Sequence, residues 1–173
     1  YKETIRRYQT MTEQASASRL VIWPETAIPA FDTRVENTLL RPLHATLQEQ
    51  QRDLLTGIVV KQPEGRYYNA MISLGHSGRD AYYKRHLVPF GEYLPWRSWL
   101  GPVLEFLRIP MSNFSPGTAE KPILTLAGQQ VGVNICYEDV FANEVVRALP
   151  AAGYLINASN DAWFGDSLAP HQH

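Results

Sequence analysis

The chain has 173 residues, a length typical of a single domain with a substantial core, and 45% of the residues are hydrophobic. Its 16 Lys and Arg residues nearly balance 17 Asp and Glu residues, and the formal net charge of -1 gives no support to nucleic acid as a partner. The single cysteine excludes an internal disulfide and a multi-cysteine metal site. No apolar run approaches the roughly 20 residues that cross a bilayer.

The first half of the chain alternates predicted helices and strands. Apolar residues at helical spacing predict a helix over residues 1–18, and a short apolar run predicts a strand over 19–23 that Pro24 ends. A second helix is predicted over 35–51, and Pro42 is expected to split or kink it. Three further strands are predicted over 54–60, 67–74 and 80–84, with a turn at 75–78.

The second half begins with a long segment, 85–117, that has no regular period and is rich in proline and aromatic residues. Such a loop in a compact domain is usually functional or disordered, and its apolar content argues against disorder. A hairpin of two strands, 122–126 and 131–135, is followed by a predicted amphipathic helix over 140–149 and a buried strand over 154–158. The alternation of helices with buried strands predicts an α/β layered domain with a mixed sheet.

Cys136 lies where the predicted strand 131–135 meets the next helix. Unpaired N–H groups at a helix N-terminus favour an anion, so we expect a lowered pKa and a nucleophilic thiol at this position. The alternative is an inert cysteine in the core, because free cysteine is among the most buried residue types.

Glu25 and Lys84 also follow predicted strands, and sites in open α/β sheets collect at the carboxyl ends of strands. A thiol nucleophile needs a base to accept its proton, and a lysine supplies positive charge for an oxyanion. Each residue also has a simpler explanation when taken alone. Glu25 fits a cap or an ion pair, and Lys84 fits a solvated charge at a strand end.

Four blocks of the sequence, in this order, resemble the nitrilase (carbon-nitrogen hydrolase) superfamily and, more narrowly, its bacterial apolipoprotein N-acyltransferases. The blocks are Trp-Pro-Glu-Thr-Ala-Ile-Pro at 23–29, Tyr-Lys-Arg-His-Leu-Val-Pro-Phe-Gly-Glu-Tyr-Leu-Pro at 83–95, Ile-Cys-Tyr-Glu at 135–138, and Asn-Ala-Ser-Asn-Asp-Ala-Trp-Phe-Gly at 157–165, closed by Pro-His-Gln-His at 170–173. The resemblance implies an α-β-β-α sandwich with a Glu-Lys-Cys triad.

Carried onto this chain, the resemblance implies that Glu25 is the general base, Lys84 the oxyanion-stabilising cation and Cys136 the acylated nucleophile. Further residues match positions that support or flank the family's site: Glu92, Glu138, Tyr137 and Asn69. Loop ion pairs or a charge at a helix N-terminus explain the two glutamates equally well.

The resemblance implies no cofactor. Trp163 and Phe164 are candidates for an acyl groove, although aromatic residues also serve as plain core. His171 and His173 without further ligands do not make a metal site, so no metal is expected. The apolar residues of the segment 85–117 are expected either to face lipid or to cover the core: Leu87, Val88, Phe90, Leu94, Trp96, Trp99, Leu100, Val103, Leu104, Phe106 and Leu107.

The implied function is N-acyl transfer from a phospholipid, with phosphatidylethanolamine as the expected donor, through a thioester to the N-terminal diacylglyceryl-cysteine of an apolipoprotein. The implied location is the bacterial inner membrane, with the catalytic domain on the periplasmic side. Residues 1–173 are expected to be a partial catalytic domain, truncated at both ends, with the membrane-embedded helical domain and the membrane contacts outside this chain. A soluble nitrilase-type amidase and an inactive nitrilase-like binding module are the alternatives.

Overall fold

A computed structural model of the chain describes residues 2–89, 91–93, 114–118, 122–161, 165, 168 and 171. Two β-sheets face each other in it. The first sheet has the strand order β1-β3-β4-β5, with β2 also paired to β3. Its strands are β1 (Leu20–Ile22), β2 (Ile28–Phe31), β3 (Asp53–Lys61), β4 (Tyr67–Gly75) and β5 (Asp80–Tyr83).

Strands β1 and β2 lie along the same edge of β3, and both run parallel to it. Leu20 is opposite Asp53, whereas Ile28 is opposite Ile58, so the two short strands follow one another along β3. Pro24 lies in the gap between them, where its missing N–H and fixed φ interrupt regular pairing. The predicted end of the first strand is confirmed, but sequence analysis missed β2.

The second sheet has the order β6-β7-β8, with β6 (Ile123–Leu126), β7 (Gln129–Ile135) and β8 (Tyr154–Ala158). Strands β6 and β7 form the predicted antiparallel hairpin, and β8 pairs with β7 in parallel. In the first sheet, β4 is antiparallel to both β3 and β5. The mixed pairing that the alternation of elements predicted is therefore present in both sheets.

The helices of the first half of the chain are α1 (Lys2–Gln14), the short α2 (Asp32–Val35), which a π-helical turn (Glu36–Leu40) continues, and α3 (Arg41–Glu49). Pro42 lies in the first turn of α3, directly after the π-helical turn, and has no N–H to continue the helical hydrogen bonding of that turn. This position confirms that Pro42 divides the predicted helix over 35–51. None of the described helices is long and apolar enough to cross a membrane.

The predicted helix over 140–149 is wrong as a continuous element. The chain forms a 3₁₀ turn (Cys136–Val140), a single turn of α-helix, α4 (Ala142–Val145), and another 3₁₀ turn (Val146–Ala148). The Glu138 side chain, just before the segment, accepts tertiary hydrogen bonds from the Tyr82 hydroxyl and the Arg85 N–H, and the Phe141 N–H donates to the Glu138 carbonyl. These bonds hold the first turn in a tighter geometry than an α-helix.

The apolar side chains form two layers of core. One lies between the helices and the first sheet and includes Ile5, Leu47 and Ile58. The other lies between the two sheets and includes Leu55, Met71, Tyr82, Leu126, Val133 and Ile156. On the outer face of the second sheet, Ala148 and Ala152 approach Gly132 closely, so the short helical turns form a thin fourth layer.

Candidate active site

Glu25 is held in the gap between β1 and β2, at the edge of the first sheet. Gly57 of β3 lies directly beneath this turn, and a Cβ built there would be 2.3 Å from the Thr26 nitrogen and 2.7 Å from the Glu25 carbonyl carbon. The Gly57 N–H also donates to the Pro24 carbonyl at 3.2 Å. Only glycine allows the turn to approach the strand so closely, and this approach brings the Glu25 carboxylate inward, where the residue is 7% exposed.

Lys84 follows β5 directly and is 1% exposed. Its ammonium pairs with Glu25 Oε1 at 3.2 Å and with Glu92 Oε2 at 2.9 Å. Burial lowers the pKa of Lys84, but the opposing attraction of the two carboxylates is larger, and the pKa is raised overall. Lys84 is therefore a fixed positive charge at neutral pH.

Asn69 of β4 joins the two carboxylates that flank Lys84. Its side-chain amide donates to Glu25 Oε1 and to Glu92 Oε1, each at 2.7 Å. Its backbone carbonyl accepts the N–H of Lys84 at 2.8 Å, and Glu92 Oε2 accepts the N–H of Val88 at 2.9 Å. The structure thus brings four sequence-predicted residues, including Asn69 and Glu92, into one buried cluster.

Cys136 directly follows β7, with φ at +50° in the left-handed region that residues with a side chain rarely adopt. Its half-buried thiol lies close enough to Glu25, Lys84, the Ser159 side chain and the Tyr137 N–H for each of them to affect its pKa. Burial, followed by the negative charge of Glu25, raises the pKa of the Cys136 thiol above its ordinary value despite the opposing effect of Lys84. The expectation of a lowered pKa is wrong, because burial and a neighbouring carboxylate outweigh the donors at the turn.

Glu138 lies outside this cluster and connects the two segments of the chain that carry Lys84 and Cys136. The buried carboxylate accepts the Tyr82 hydroxyl at 2.8 Å, the Arg85 N–H at 2.7 Å and the Ile135 N–H at 2.7 Å. Burial and the Glu138 charge raise the pKa of Tyr82, so this phenol stays a donor. Glu138 therefore connects the chain after Lys84 to the end of β7, the strand that precedes Cys136. Glu138 is among the residues predicted from the sequence, whereas Tyr82 lies in no motif and was not predicted.

Several sequence-based expectations fall outside the described residues. Trp163, Phe164 and His173 are among these, as is most of the apolar segment 85–117. Leu87 is described and buried, which favours core packing over lipid contact for this residue. Among the described residues, no group of three or more His, Cys, Asp or Glu side chains is placed to hold a metal ion.

The carbon-nitrogen hydrolase family model matches residues 2–173. The structure is similar to a carbon-nitrogen hydrolase of Helicobacter pylori, with a TM-score of 0.66 and 21% identity, over 91% of this chain and 55% of that one. This similarity confirms the nitrilase-like fold that the sequence blocks predicted.

Two similar relatives are the apolipoprotein N-acyltransferases of Methylococcus capsulatus and Nitrosomonas europaea. The first is 49% identical over 172 residues, covering 98% of this chain and 34% of the relative. The second is 47% identical over 161 residues, covering 92% of this chain and 32% of the relative. The chain therefore spans about a third of the length of these relatives.

Proposed function

Because the chain belongs to the carbon-nitrogen hydrolase family, we propose that it carries the catalytic residues of an apolipoprotein N-acyltransferase. The observation that carries the proposal is the buried cluster of Glu25, Lys84 and Glu92 beside the Cys136 thiol. The similarity to the two N-acyltransferases supports the choice of acyl transfer within the family. The acyl donor is a phospholipid, with phosphatidylethanolamine as the expected class, and the acceptor is an apolipoprotein.

In the first half-reaction, the Cys136 sulfur attacks the carbonyl carbon of the phospholipid ester. Glu25 Oε1 already accepts from Asn69 and Lys84, whereas Oε2 accepts no hydrogen bond from any residue that the structure describes. Oε2 is therefore the atom that takes the thiol proton. When the tetrahedral intermediate collapses, the ester C–O bond breaks, the same proton passes to the departing glycerol oxygen, and a thioester remains on Cys136.

In the second half-reaction, the α-amino group of the apolipoprotein's diacylglyceryl-cysteine attacks the thioester carbon. Glu25 takes a proton from the attacking nitrogen as the C–N bond forms. The C–S bond then breaks, and Glu25 returns the proton to the Cys136 sulfur. The product is an amide, and both side chains regain their starting protonation states.

The charges of the cluster assist the proton transfer. While Glu25 is ionised, its negative charge raises the pKa of the Cys136 thiol and opposes formation of the thiolate. Once Glu25 has accepted the proton, this repulsion disappears and the positive charge of Lys84 acts on the sulfur and on the developing oxyanion. Glu92 pairs with Lys84 at 2.9 Å and keeps the ammonium in place when Glu25 is neutral.

The location of the reaction follows from the substrates. A diacylated acceptor and a phospholipid donor meet at a membrane, and we place the site on the periplasmic side of the bacterial inner membrane. In this proposal, parts of the protein outside the chain make the membrane contact.

The proposal is tested with the full-length native protein and phosphatidylethanolamine that carries a labelled acyl chain. We expect label on the peptide that contains Cys136, releasable by neutral hydroxylamine as a thioester is, and transferred to the N-terminus of an added diacylated lipopeptide. The Cys136→Ala protein is the control and should take up no label. Hydrolysis of a small amide without lipid labelling would instead identify a soluble-type amidase. The absence of both reactions would identify an inactive module.

Gly57→Ala is expected to lower the acyl transfer rate by about 10²-fold, because the new methyl group forces the turn that carries Glu25 away from β3 by roughly 1 Å. Gly153→Ala is the matched control, since a Cβ there would make only ordinary contacts, the nearest at 3.5 Å. Both variants are assayed for acyl transfer and for thermal unfolding. A fully active Gly57→Ala protein would contradict the role of the close approach in positioning Glu25.

A further inference from the structure

Asn157 of β8 contacts the backbone of the residue that carries the thiol. Its side-chain amide donates to the Cys136 carbonyl oxygen at 2.9 Å and also to the side-chain oxygen of Asn134. Asn134 and Asn157 are directly opposite each other in the parallel pairing of β7 and β8. The sequence blocks contain Asn157, but no role followed from them.

The Cys136 carbonyl matters because of the peptide group to which it belongs. A trans peptide is planar, so its carbonyl oxygen and its N–H point in opposite directions. The N–H of this peptide is that of Tyr137, which is close enough to the Cys136 sulfur to favour the thiolate and so to lower the pKa of the thiol. Fixing the carbonyl on one side therefore fixes the direction of the N–H on the other.

The conformation of Cys136 makes such an anchor necessary. A residue other than glycine in the left-handed region carries roughly 1–3 kcal/mol of strain, which persists only when surrounding contacts hold it. The Glu138 carboxylate accepts the N–H of Ile135, the residue before Cys136, and the Asn157 side chain donates to the carbonyl of Cys136 itself. Without the second contact, the peptide between Cys136 and Tyr137 is free to rotate toward a relaxed conformation.

We propose that Asn157 is a positioning residue that aims the Tyr137 N–H at the sulfur of Cys136 and at the oxyanion formed there. The inference rests on the proposed function only in taking Cys136 as the nucleophile. Asn157 does not touch the thiol itself and acts through the peptide group. Its side chain is exposed, while its neighbours Ile156 and Ala158 are buried, so a substitution at Asn157 leaves the core between the sheets intact.

The experiment measures the rate of alkylation of Cys136 by iodoacetamide as a function of pH, in the full-length native protein, by mass spectrometry of the peptide that contains Cys136. For Asn157→Ala we expect the midpoint of the profile to rise by about half a unit to one unit, because the thiolate loses a hydrogen-bond donor. Acyl transfer should fall by about 10- to 100-fold, somewhat less than for the direct loss of an oxyanion donor.

The pair of variants Asn157→Ala and Asn157→Asp separates positioning from packing. Aspartate has nearly the shape of asparagine, but a carboxylate cannot donate to the Cys136 carbonyl and adds a negative charge near the thiol. We therefore expect an alkylation midpoint at least as high as that of Asn157→Ala. A packing role without positioning predicts a midpoint that the added charge raises in Asn157→Asp and that stays close to the value of the unchanged protein in Asn157→Ala. The controls are Asn143→Ala and Asn143→Asp, which make the same changes at an exposed position of α4.

Alkylation profiles that coincide with that of the unchanged protein in both Asn157 variants would overturn the inference. A shifted profile in a protein that never accepts a phospholipid acyl chain would overturn the proposed function while leaving the positioning role of Asn157 intact. Normal acyl labelling of both variants, with unshifted profiles, would overturn the positioning role alone. A shift of equal size in the Asn143 variants would also contradict it, because the effect would then be one of general charge.

Discussion

Cys136→Ser and Cys136→Ala are expected to abolish acyl transfer, with rates at least about 10⁴-fold lower. Serine keeps nearly the size of the thiol and the ability to hydrogen-bond with the Tyr137 N–H, so this loss reports on the nucleophile and not on packing. A hydroxyl is a far weaker acid than a thiol, and the carboxylate of Glu25 is too weak a base to remove its proton efficiently. The measurement is uptake of labelled acyl chains from phosphatidylethanolamine.

Thermal unfolding serves as the control for this pair of variants. Cys136 is half-buried at the edge of the core between the sheets, and serine replaces one atom, so we expect little change in the unfolding temperature. A Cys136→Ser protein that unfolds normally and still transfers acyl chains would show that the sulfur is not the nucleophile. The cluster of Glu25, Lys84 and Glu92 would then need a different chemical role.

Glu25→Gln is expected to lower acyl transfer by about 10²- to 10⁴-fold, the usual range for losing a general base. The same change should make the Cys136 thiol more acidic. The negative charge of Glu25 raises the pKa of the thiol, so its removal lowers that pKa, and alkylation of Cys136 should begin at lower pH. The variant is thus expected to have more thiolate and less activity at neutral pH, a combination that separates a base from a simple electrostatic partner.

The glutamine side chain retains an oxygen that accepts from Asn69 and Lys84, so the Glu25→Gln protein keeps the contacts of the cluster. Glu36→Gln is the matched control, because it makes the same chemical change in a carboxylate paired with Arg79 at the surface. We expect this control to retain full acyl transfer. An alkylation profile of Glu25→Gln that moves to higher pH, or unchanged acyl transfer, would contradict the role of Glu25 as base.

Local patterns predicted the elements that depend on near neighbours in the chain. Buried strands appear in sequence as short apolar runs, and β3, β4 and β8 lie within a residue or two of their predicted bounds. Pro24 and Pro42 act through their own missing N–H groups, so their effects needed no knowledge of the fold. The strand β2 was missed because Pro29 interrupts its apolar pattern, and its pairing depends on its position along β3.

The sequence by itself determined that Glu25, Lys84 and Cys136 each follow a strand, because strand ends are marked locally by a loss of apolar character and by proline or acidic residues. Only the tertiary structure decided the chemistry of these residues. The raised pKa of the thiol depends on burial and on Glu25, which is distant in the chain. The ion pair of Lys84 with Glu25 and the hydrogen bond from Asn157 to the Cys136 carbonyl join groups more than 20 residues apart in the chain. Charge and desolvation act through space, and distances through space are set by the packing of the two sheets, which no local pattern contains.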